Sequence, residues 1–307
     1  MRLFNIYLDV LLIQLSKTGY GCHIGKKYMG SFAYADDIVL LAPTVASLQA
    51  QLVVCEQFSK DFNIKFNASK SKLLVFGGNS VEIKFQGHVI PVGVKECHIG
   101  NLIGTDDNIC HDVIKAACCD IYSKFNLLVR QFHAVDKFIM YKLFNSYCLS
   151  LFGSSLWKLS STKVMKPLYV AWRKCLRVIL GIPSTTHCNL LHLIVEDNSI
   201  DVKLQCRFIN FLHNIVNSNN KCLALCAKLL LNGSGSVVAN SWNYICYKYN
   251  LNRFDLSNVK RHINTIKVPS DVESVKMKAG LIRDFLMFNS DINDQNVLDI
   301  INQLCTE

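Results

Sequence analysis

The spacing of apolar residues changes near residue 112 of this 307-residue chain, and this change constrains the fold most. Before it, short apolar runs are separated by turns rich in glycine and asparagine. After it, apolar residues recur at the helical period of 3.6. The sequence therefore predicts an α+β fold, with an antiparallel hairpin sheet and helices first and a mostly helical region after it. Helices of the second part are expected at 112–130, 135–152, 162–180, 186–194, 199–217, 221–231, 237–249, 271–288 and 292–304.

In the first third, a pair of adjacent acids lies between two apolar, β-prone stretches. The run Met29–Ala42 predicts a β-hairpin with Asp36 and Asp37 at its tip. A helix is expected before it, over Leu3–Leu15, and another after it, over Val45–Phe62, where Thr44 is a suitable N-cap. Further strands are expected at 73–76, 82–85, 88–92 and 94–99.

Composition excludes several classes of protein. Half of the residues are hydrophobic and only 5 are proline, which excludes a disordered or collagen-like chain. No uninterrupted apolar run reaches the roughly 18 residues of a membrane span, and the first residues lack the pattern of a secretory signal. We therefore expect a protein that is not secreted and not membrane-bound. Its 14 cysteines should then be reduced.

Positive charge is concentrated in the middle of the chain. The net charge is +10, and residues 113–195 alone hold eleven Lys or Arg and two Asp, a local net charge of +9. A segment of this kind is the electrostatic footprint expected of contact with a phosphate backbone. A solvated basic surface is the alternative interpretation of the same charges.

The adjacent carboxylates of Asp36 and Asp37 suggest a specific chemistry. Like charges this close repel unless a cation neutralises them, and the hard ions Mg²⁺ and Mn²⁺ are bound by carboxylate oxygens. Two such ions about 4 Å apart can stabilise the entering and leaving oxygens of a phosphoryl transfer. An ordinary acidic turn is the alternative, since Asp is common in turns.

The string Tyr34-Ala35-Asp36-Asp37 resembles the Tyr-x-Asp-Asp palm motif of reverse transcriptases, and flanking pieces follow in the family's order. Residues 3–9 resemble the tail of the template-binding helix. Residues 66–72 resemble a motif in which Asn precedes Lys-Ser/Thr-Lys, and residues 94–100 resemble the primer-grip strand. Residues 151–157 and 171–183 are similar to thumb and connecting helices of non-LTR (LINE-type) retrotransposon polymerases. The resemblance covers roughly residues 2–230.

This resemblance implies an RNA-directed DNA polymerase that binds an RNA template, a DNA primer and deoxynucleoside triphosphates. It also implies an intracellular location, nuclear or cytoplasmic. Asp36 would be a ligand of catalytic Mg²⁺ or Mn²⁺, with Asp37 as the weaker partner. Lys70 would lie near the leaving pyrophosphate, and His98, Ile99 and Gly100 would hold the primer strand. The basic helices would contact the phosphates of the duplex. Their implied contact residues are Lys115, Lys124, Arg130, Arg173, Lys174 and Arg177.

The sequence departs from the family at the third palm carboxylate, which in the family lies upstream of the template-binding helix. Asp9 does not match it. We therefore expect an N-terminally truncated polymerase that binds metal weakly and has negligible activity alone. Residues 1–110 are interpreted as a partial palm with the primer-grip hairpin, residues 111–231 as a basic thumb, and residues 232–307 as a helical region of unknown role. A non-catalytic, helical nucleic-acid-binding protein is the alternative, and the oligomeric state stays open.

Overall fold

The computed structural model describes residues 2–78, 81–106, 108–232, 235–252, 259–267 and 273–288. The chain divides into two compact units, Met1–Ile109 and Cys110–Glu307. The first combines helices with short strands, and the second is helical in its described residues, which confirms the mixed fold expected from the sequence. The assignment of these parts to a palm, a thumb and a C-terminal region stays a prediction.

In its described residues, the first unit contains helix α1 (Arg2–Lys17), helix α2 (Val45–Phe62) and ten short strands. The strands are β1 (His23–Ile24), β2 (Lys27–Tyr28), β3 (Ser31–Tyr34), β4 (Asp37–Leu40), β5 (Leu73–Leu74), β6 (Lys84–Phe85), β7 (His88–Val89), β8 (Val92–Gly93), β9 (Lys95–His98) and β10 (Asn101–Gly104). They pair two by two. β1–β2, β3–β4, β6–β7 and β9–β10 are antiparallel, and β5–β8 is parallel.

The structure confirms the two predicted helices and the predicted β3–β4 hairpin of the first unit and corrects the strand lengths. Helix α2 has the predicted bounds because the Thr44 side chain accepts a hydrogen bond from the Ser47 amide (3.2 Å). The helix ends at Asn63, whose φ of 52° is left-handed. The strand predicted over 73–76 covers only two residues. β10 was not predicted at all, so the segment 94–99 is one arm of a hairpin.

The core of the first unit lies between α1, α2 and the strand segment that follows them. Leu11 and Leu15 of α1 pack in one buried cluster with Phe58 of α2 and with Ile83 and Phe85. Burial of one such side chain contributes about 1.5–3 kcal/mol. Ile38 and Leu40 of β4 pack against this cluster from the side, which fixes the β3–β4 hairpin to the core.

The second unit contains nine described helices. They are α3 (Ile109–Gln131), α4 (Lys137–Tyr147), α5 (Thr162–Leu180), α6 (Cys188–Ile194), α7 (Ile200–Val216), α8 (Lys221–Asn232), α9 (Val237–Tyr249), α10 (Val259–Lys267) and α11 (Glu273–Phe288). The helix predicted over 135–152 ends at Tyr147, because Leu151 and Gly153 adopt left-handed backbone angles (φ 43° and 73°) that a helix cannot contain. α10 was not predicted, and the helix expected at 292–304 lies outside the described residues.

A partly buried polar network joins α4 to α7 in the second unit. The Tyr141 hydroxyl and the Lys203 ammonium both donate to Oδ2 of Asp197, each at 2.7 Å, and Lys203 also donates to Asn145 Oδ1 at 2.7 Å. Burial alone would raise the pKa of Asp197, but these hydrogen bonds outweigh it and lower the pKa below its usual 3.8. Desolvation lowers the pKa of Lys203. Each charge of the pair is therefore compensated where the helices meet.

The described residues bear on two expectations from the sequence, which concern membrane spans and the state of the cysteines. Taken singly, none of the described helices combines the length and apolarity of a membrane span, although α8 and α9 together reach that composition. None of the described cysteines is in a disulfide bond, and Cys55, Cys148, Cys175, Cys206 and Cys246 are buried.

Candidate metal and nucleic-acid sites

Asp36 and Asp37 lie at the tip of the β3–β4 hairpin, as the sequence predicts. The strands pair with Tyr34 opposite Asp37, so Ala35 and Asp36 form the turn. Ala35 has a φ of 54°, a left-handed conformation that costs a non-glycine residue about 1–2 kcal/mol. Both acids are exposed, and the Tyr34 side chain beside them is 65% exposed. The turn therefore presents two neighbouring carboxylates to solvent.

The base of this hairpin is anchored to α2 by Gln51, which is fully buried. Its Nε2 donates to the Gly30 carbonyl (3.0 Å) and to the Tyr28 hydroxyl (2.9 Å), and the Leu41 amide donates to the same carbonyl (2.8 Å). A Cβ on Gly30 would lie 2.7 Å from the Tyr28 ring, so a larger residue there would displace that ring. Gln51 was not among the residues predicted from the sequence. The signal that could have identified it is a polar residue on the apolar face of α2, one turn from Leu48 and Cys55.

The donor set at the hairpin tip fits a hard divalent cation in chemistry but not in number. Asp36 and Asp37 supply carboxylate oxygens, which Mg²⁺ and Mn²⁺ prefer. Among the residues that the structure describes, no group of three or more His, Cys, Asp or Glu side chains is placed to hold a metal. The remaining ligands of an ion bound by this pair would therefore be water, phosphate oxygens or groups outside the described residues.

Lys70 lies at the end of a one-turn 3₁₀ helix, Ala68–Lys70, that Asn67 organises. The Asn67 carboxamide oxygen accepts hydrogen bonds from the Lys70 amide (3.1 Å) and from the Ser69 hydroxyl (2.7 Å). The Lys70 side chain is exposed. Among the described residues, no hydrogen bond or ion pair joins Lys70 to Asp36 or Asp37, so its predicted role at the leaving group stays a prediction.

The predicted primer-grip residues form the turn of the β9–β10 hairpin. His98 pairs with Asn101, which leaves Ile99 and Gly100 as a two-residue loop. Both have positive φ, 48° and 72°, as a type I′ turn requires. For the β-branched Ile99 this conformation is strained by about 1–3 kcal/mol, and backbone strain of this kind is often found at functional positions. The sequence signal for the second strand, β10, which was not predicted, was a glycine between two apolar runs.

The six basic residues predicted to contact nucleic acid lie on α3 and α5, and their surroundings differ. Lys115 and Arg130 of α3 are exposed, as is Lys174 of α5. Lys124 instead pairs with Asp120 (2.7 Å). Arg177 donates through Nη2 to the Thr186 carbonyl (2.6 Å) and so also fastens the segment after α5.

Helix α5 has one apolar face and one basic face. Its buried face includes Leu168, Trp172 and Ile179, and the helix contains no acid. Its basic residues lie on the opposite side within an arc of about 100°, at spacings of three, four and seven residues. We call this face the basic stripe, which comprises Lys163, Lys166, Arg173, Lys174 and Arg177.

Three lysines of the basic stripe, Lys163, Lys166 and Lys174, are exposed, and none of the ion pairs among the described residues includes them. Trp157 and Trp172, by contrast, are 8% and 1% exposed and belong to the core and not to a base-stacking surface. The stripe can therefore attract phosphates by charge alone, without sequence preference.

Residues 2–90 match the family model described as Reverse transcriptase (RNA-dependent DNA polymerase). The match includes α1, the β3–β4 hairpin with both acids, α2 and Lys70, and it ends before β8. It supports the reverse transcriptase resemblance for this part of the first unit. Comparisons with curated proteins and with solved structures found no match.

Proposed function

We propose that this chain is a segment of an RNA-directed DNA polymerase of the non-LTR retrotransposon type. The observation that carries the proposal is the placement of Asp36 and Asp37 at the tip of a hairpin within the reverse-transcriptase match. The non-LTR assignment is supported by the resemblance of residues 151–157 and 171–183 to the thumb and connecting helices of those polymerases.

Each candidate residue would have a distinct part in this function. Asp36 and Asp37 would hold Mg²⁺ or Mn²⁺, which neutralises charge on the reacting phosphoryl oxygens when it is bound. The exposed ammonium of Lys70 is suited to pair with a phosphate of a deoxynucleoside triphosphate. The strained turn at Ile99 and Gly100 would support the primer strand, and the basic stripe would contact the phosphates of the RNA template–DNA primer duplex.

The first prediction concerns metal binding at the hairpin tip. We expect Mn²⁺, followed by electron paramagnetic resonance of the free ion, to bind with a dissociation constant on the order of a millimolar, because only two carboxylates are present. Asp36→Asn combined with Asp37→Asn should weaken this binding about tenfold, since it removes both anionic ligands. Asp9→Asn, at an exposed acid of α1, is the control and should leave it unchanged. Equal affinities of the double variant and the unaltered chain would refute the metal site.

The second prediction concerns catalysis by this chain alone. With an RNA template, an annealed DNA primer, deoxynucleoside triphosphates and Mg²⁺ or Mn²⁺, we expect no primer extension above background. The reason is that the described residues place only two carboxylates at the tip, which should hold the ions too weakly. A known polymerase added to the same mixture shows that the substrate can be extended. Robust synthesis that Asp36→Asn abolishes would contradict this expectation.

A second candidate function is non-catalytic binding of nucleic acid. It is favoured by the basic stripe, which needs no metal and no contribution from the hairpin. In this case Asp36 and Asp37 form an ordinary exposed acidic turn. One measurement separates the two candidates. Only the polymerase function requires that Mn²⁺ affinity depend on Asp36. Both functions require that affinity for the duplex depend on α5.

The third prediction concerns the basic stripe. Replacing Lys163, Lys166 and Lys174 together by Gln should weaken binding to an RNA–DNA duplex, measured by fluorescence anisotropy. The slope of log affinity against log salt should fall by about 2–3, roughly 0.9 for each phosphate that the stripe no longer neutralises. The matched control replaces the exposed Lys60, Lys221 and Lys228 by Gln. An equal decrease in affinity of both triple variants would mean that general charge, and not the stripe, binds the duplex.

A further inference from the structure

We propose that a depression between α4 and α11 binds one unpaired base of a nucleic-acid strand whose phosphates lie on the basic stripe. The depression has a volume of about 650 Å³, which is within the range of small-molecule sites. Residues of α4, of the segment after α6 and of α11 line it. The position of the strand on the stripe rests on the proposed function, whereas the affinity of the depression for a base depends on its own lining residues.

The charged groups of the depression largely neutralise one another. Nη2 of Arg283 pairs with Oε2 of Glu196 (3.1 Å), and Oδ2 of Asp197 pairs with Nζ of Lys203 (2.7 Å). The other charged lining residues are exposed and opposite in sign, and they are Asp136 and Lys142. Counted together with Lys203, the lining has no net charge. Such a site favours a neutral ring with polar edges over a phosphate group.

The guanidinium of Arg283 is held in a fixed position. Its Nη1 donates to the Ile194 carbonyl (2.8 Å), its Nη2 pairs with Glu196, and its carbon lies 4.8 Å from the centre of the Phe138 ring. One face of the guanidinium is therefore against Phe138, while the side chain also lines the depression. A base that enters the depression would stack on the other face, since guanidinium planes are stacking surfaces for unpaired bases.

The backbone at Glu196 is strained. Its φ of 49° is left-handed, a conformation that residues with a Cβ disfavour. Where α2, α5 and α9 end, the left-handed residue is asparagine or glycine, which adopt this conformation more readily. After α6 the position holds a glutamate whose carboxylate orients Arg283. Strain of this kind is often found at binding sites, so it supports a binding role for the depression.

Asn145 supplies a hydrogen-bond donor to the depression. Its Oδ1 accepts from Nζ of Lys203 (2.7 Å), and because an ammonium group can only donate, this bond fixes the orientation of the carboxamide. None of the hydrogen bonds among the described residues includes its Nδ2, which can therefore donate to a carbonyl oxygen of a base such as uracil. Ile139 and Met287, which are 52% and 58% exposed, supply the apolar wall.

The depression lies beside the end of the basic stripe. A Cβ on Gly181, the C-cap of α5, would lie 3.9 Å from Nζ of Lys137. Lys137 directly follows Asp136, which lines the depression. Gly181 is about one helical turn beyond Arg177, the last residue of the stripe. A strand whose phosphates follow the stripe to Arg177 would therefore bring its next nucleotides to the depression.

The fourth prediction tests the base site. An RNA–DNA duplex carries a single-stranded RNA overhang of about five uridines, or the same overhang with abasic sites, which keep the phosphates but lack the bases. We expect this chain to bind the first duplex about tenfold more tightly, measured by fluorescence anisotropy, because a bound base adds stacking and apolar contact. Ile139→Ser combined with Met287→Ser should reduce this ratio to about twofold, since both apolar side chains are lost.

The matched control combines Leu223→Ser with Leu229→Ser, at exposed positions of α8, and should keep the tenfold ratio. Neither double variant changes the net charge, so the contacts of phosphates with the basic stripe are the same in all three proteins. Equal affinities of the unaltered chain for the two overhangs would overturn the base site. The same ratio in both double variants would also overturn it.

Binding of uridine alone, followed by saturation-transfer NMR, separates the base site from the proposed function. We expect transfer to the ring protons of uridine and none to free ribose. Asn145→Asp keeps an oxygen for Lys203 but removes the amide donor, and should reduce the transfer about threefold. Asn210→Asp adds the same charge at an exposed position of α7 and should leave it unchanged.

The outcomes of the uridine experiment are distinct. Absence of transfer to uridine, or an equal loss in both asparagine variants, would overturn the base site. If uridine binds as expected but neither duplex binds, the base site stands and the proposed binding of nucleic acid by the stripe fails.

Discussion

The register in which β3 pairs with β4 decides where the two carboxylates of the first unit lie. Side chains of a strand alternate between faces, so a slip of one residue would move Ile38 and Leu40 off the core and carry Asp37 to the other face. The buried Gln51 resists such a slip, because its hydrogen bond to the Gly30 carbonyl fixes the residue just before β3. The chemistry proposed for the exposed turn therefore depends on a buried polar contact at the other end of the hairpin.

The second unit exposes positive charge on a helix whose apolar residues stabilise the core. In α5 the buried residues are apolar and the basic residues lie on the opposite face, so the lysines do not contribute to the core. The partly buried charges of Lys203 and Asp197, by contrast, neutralise each other in an ion pair. Lys163, Lys166 and Lys174 of the stripe have no carboxylate partner among the described residues, so they are available for an external polyanion.

The sequence predicted those parts of the structure that local interactions determine. The bounds of α2 follow from Thr44 and a regular apolar period, and the β3–β4 hairpin follows from two β-prone runs around a turn. Features that depend on distant contacts were not predicted. β10 is stabilised by pairing with β9, Gln51 is defined by a partner 21 residues away, and α10, with three apolar residues in nine, has too weak a pattern. At the candidate site, motifs located Asp36, Lys70 and Gly100. The bond from Arg177 to Thr186, however, follows only from the turn after α5.

The central claim is that the paired carboxylates of the β3–β4 turn bind a divalent cation. Paramagnetic broadening of backbone amide resonances by substoichiometric Mn²⁺ tests it most directly, because the effect falls steeply with distance from the ion. The account predicts selective loss of the signals of Tyr34, Ala35, Asp36 and Asp37, while those around the exposed Asp61 and Glu82 persist. Broadening of equal strength at all exposed acids, or none at the turn, would contradict it.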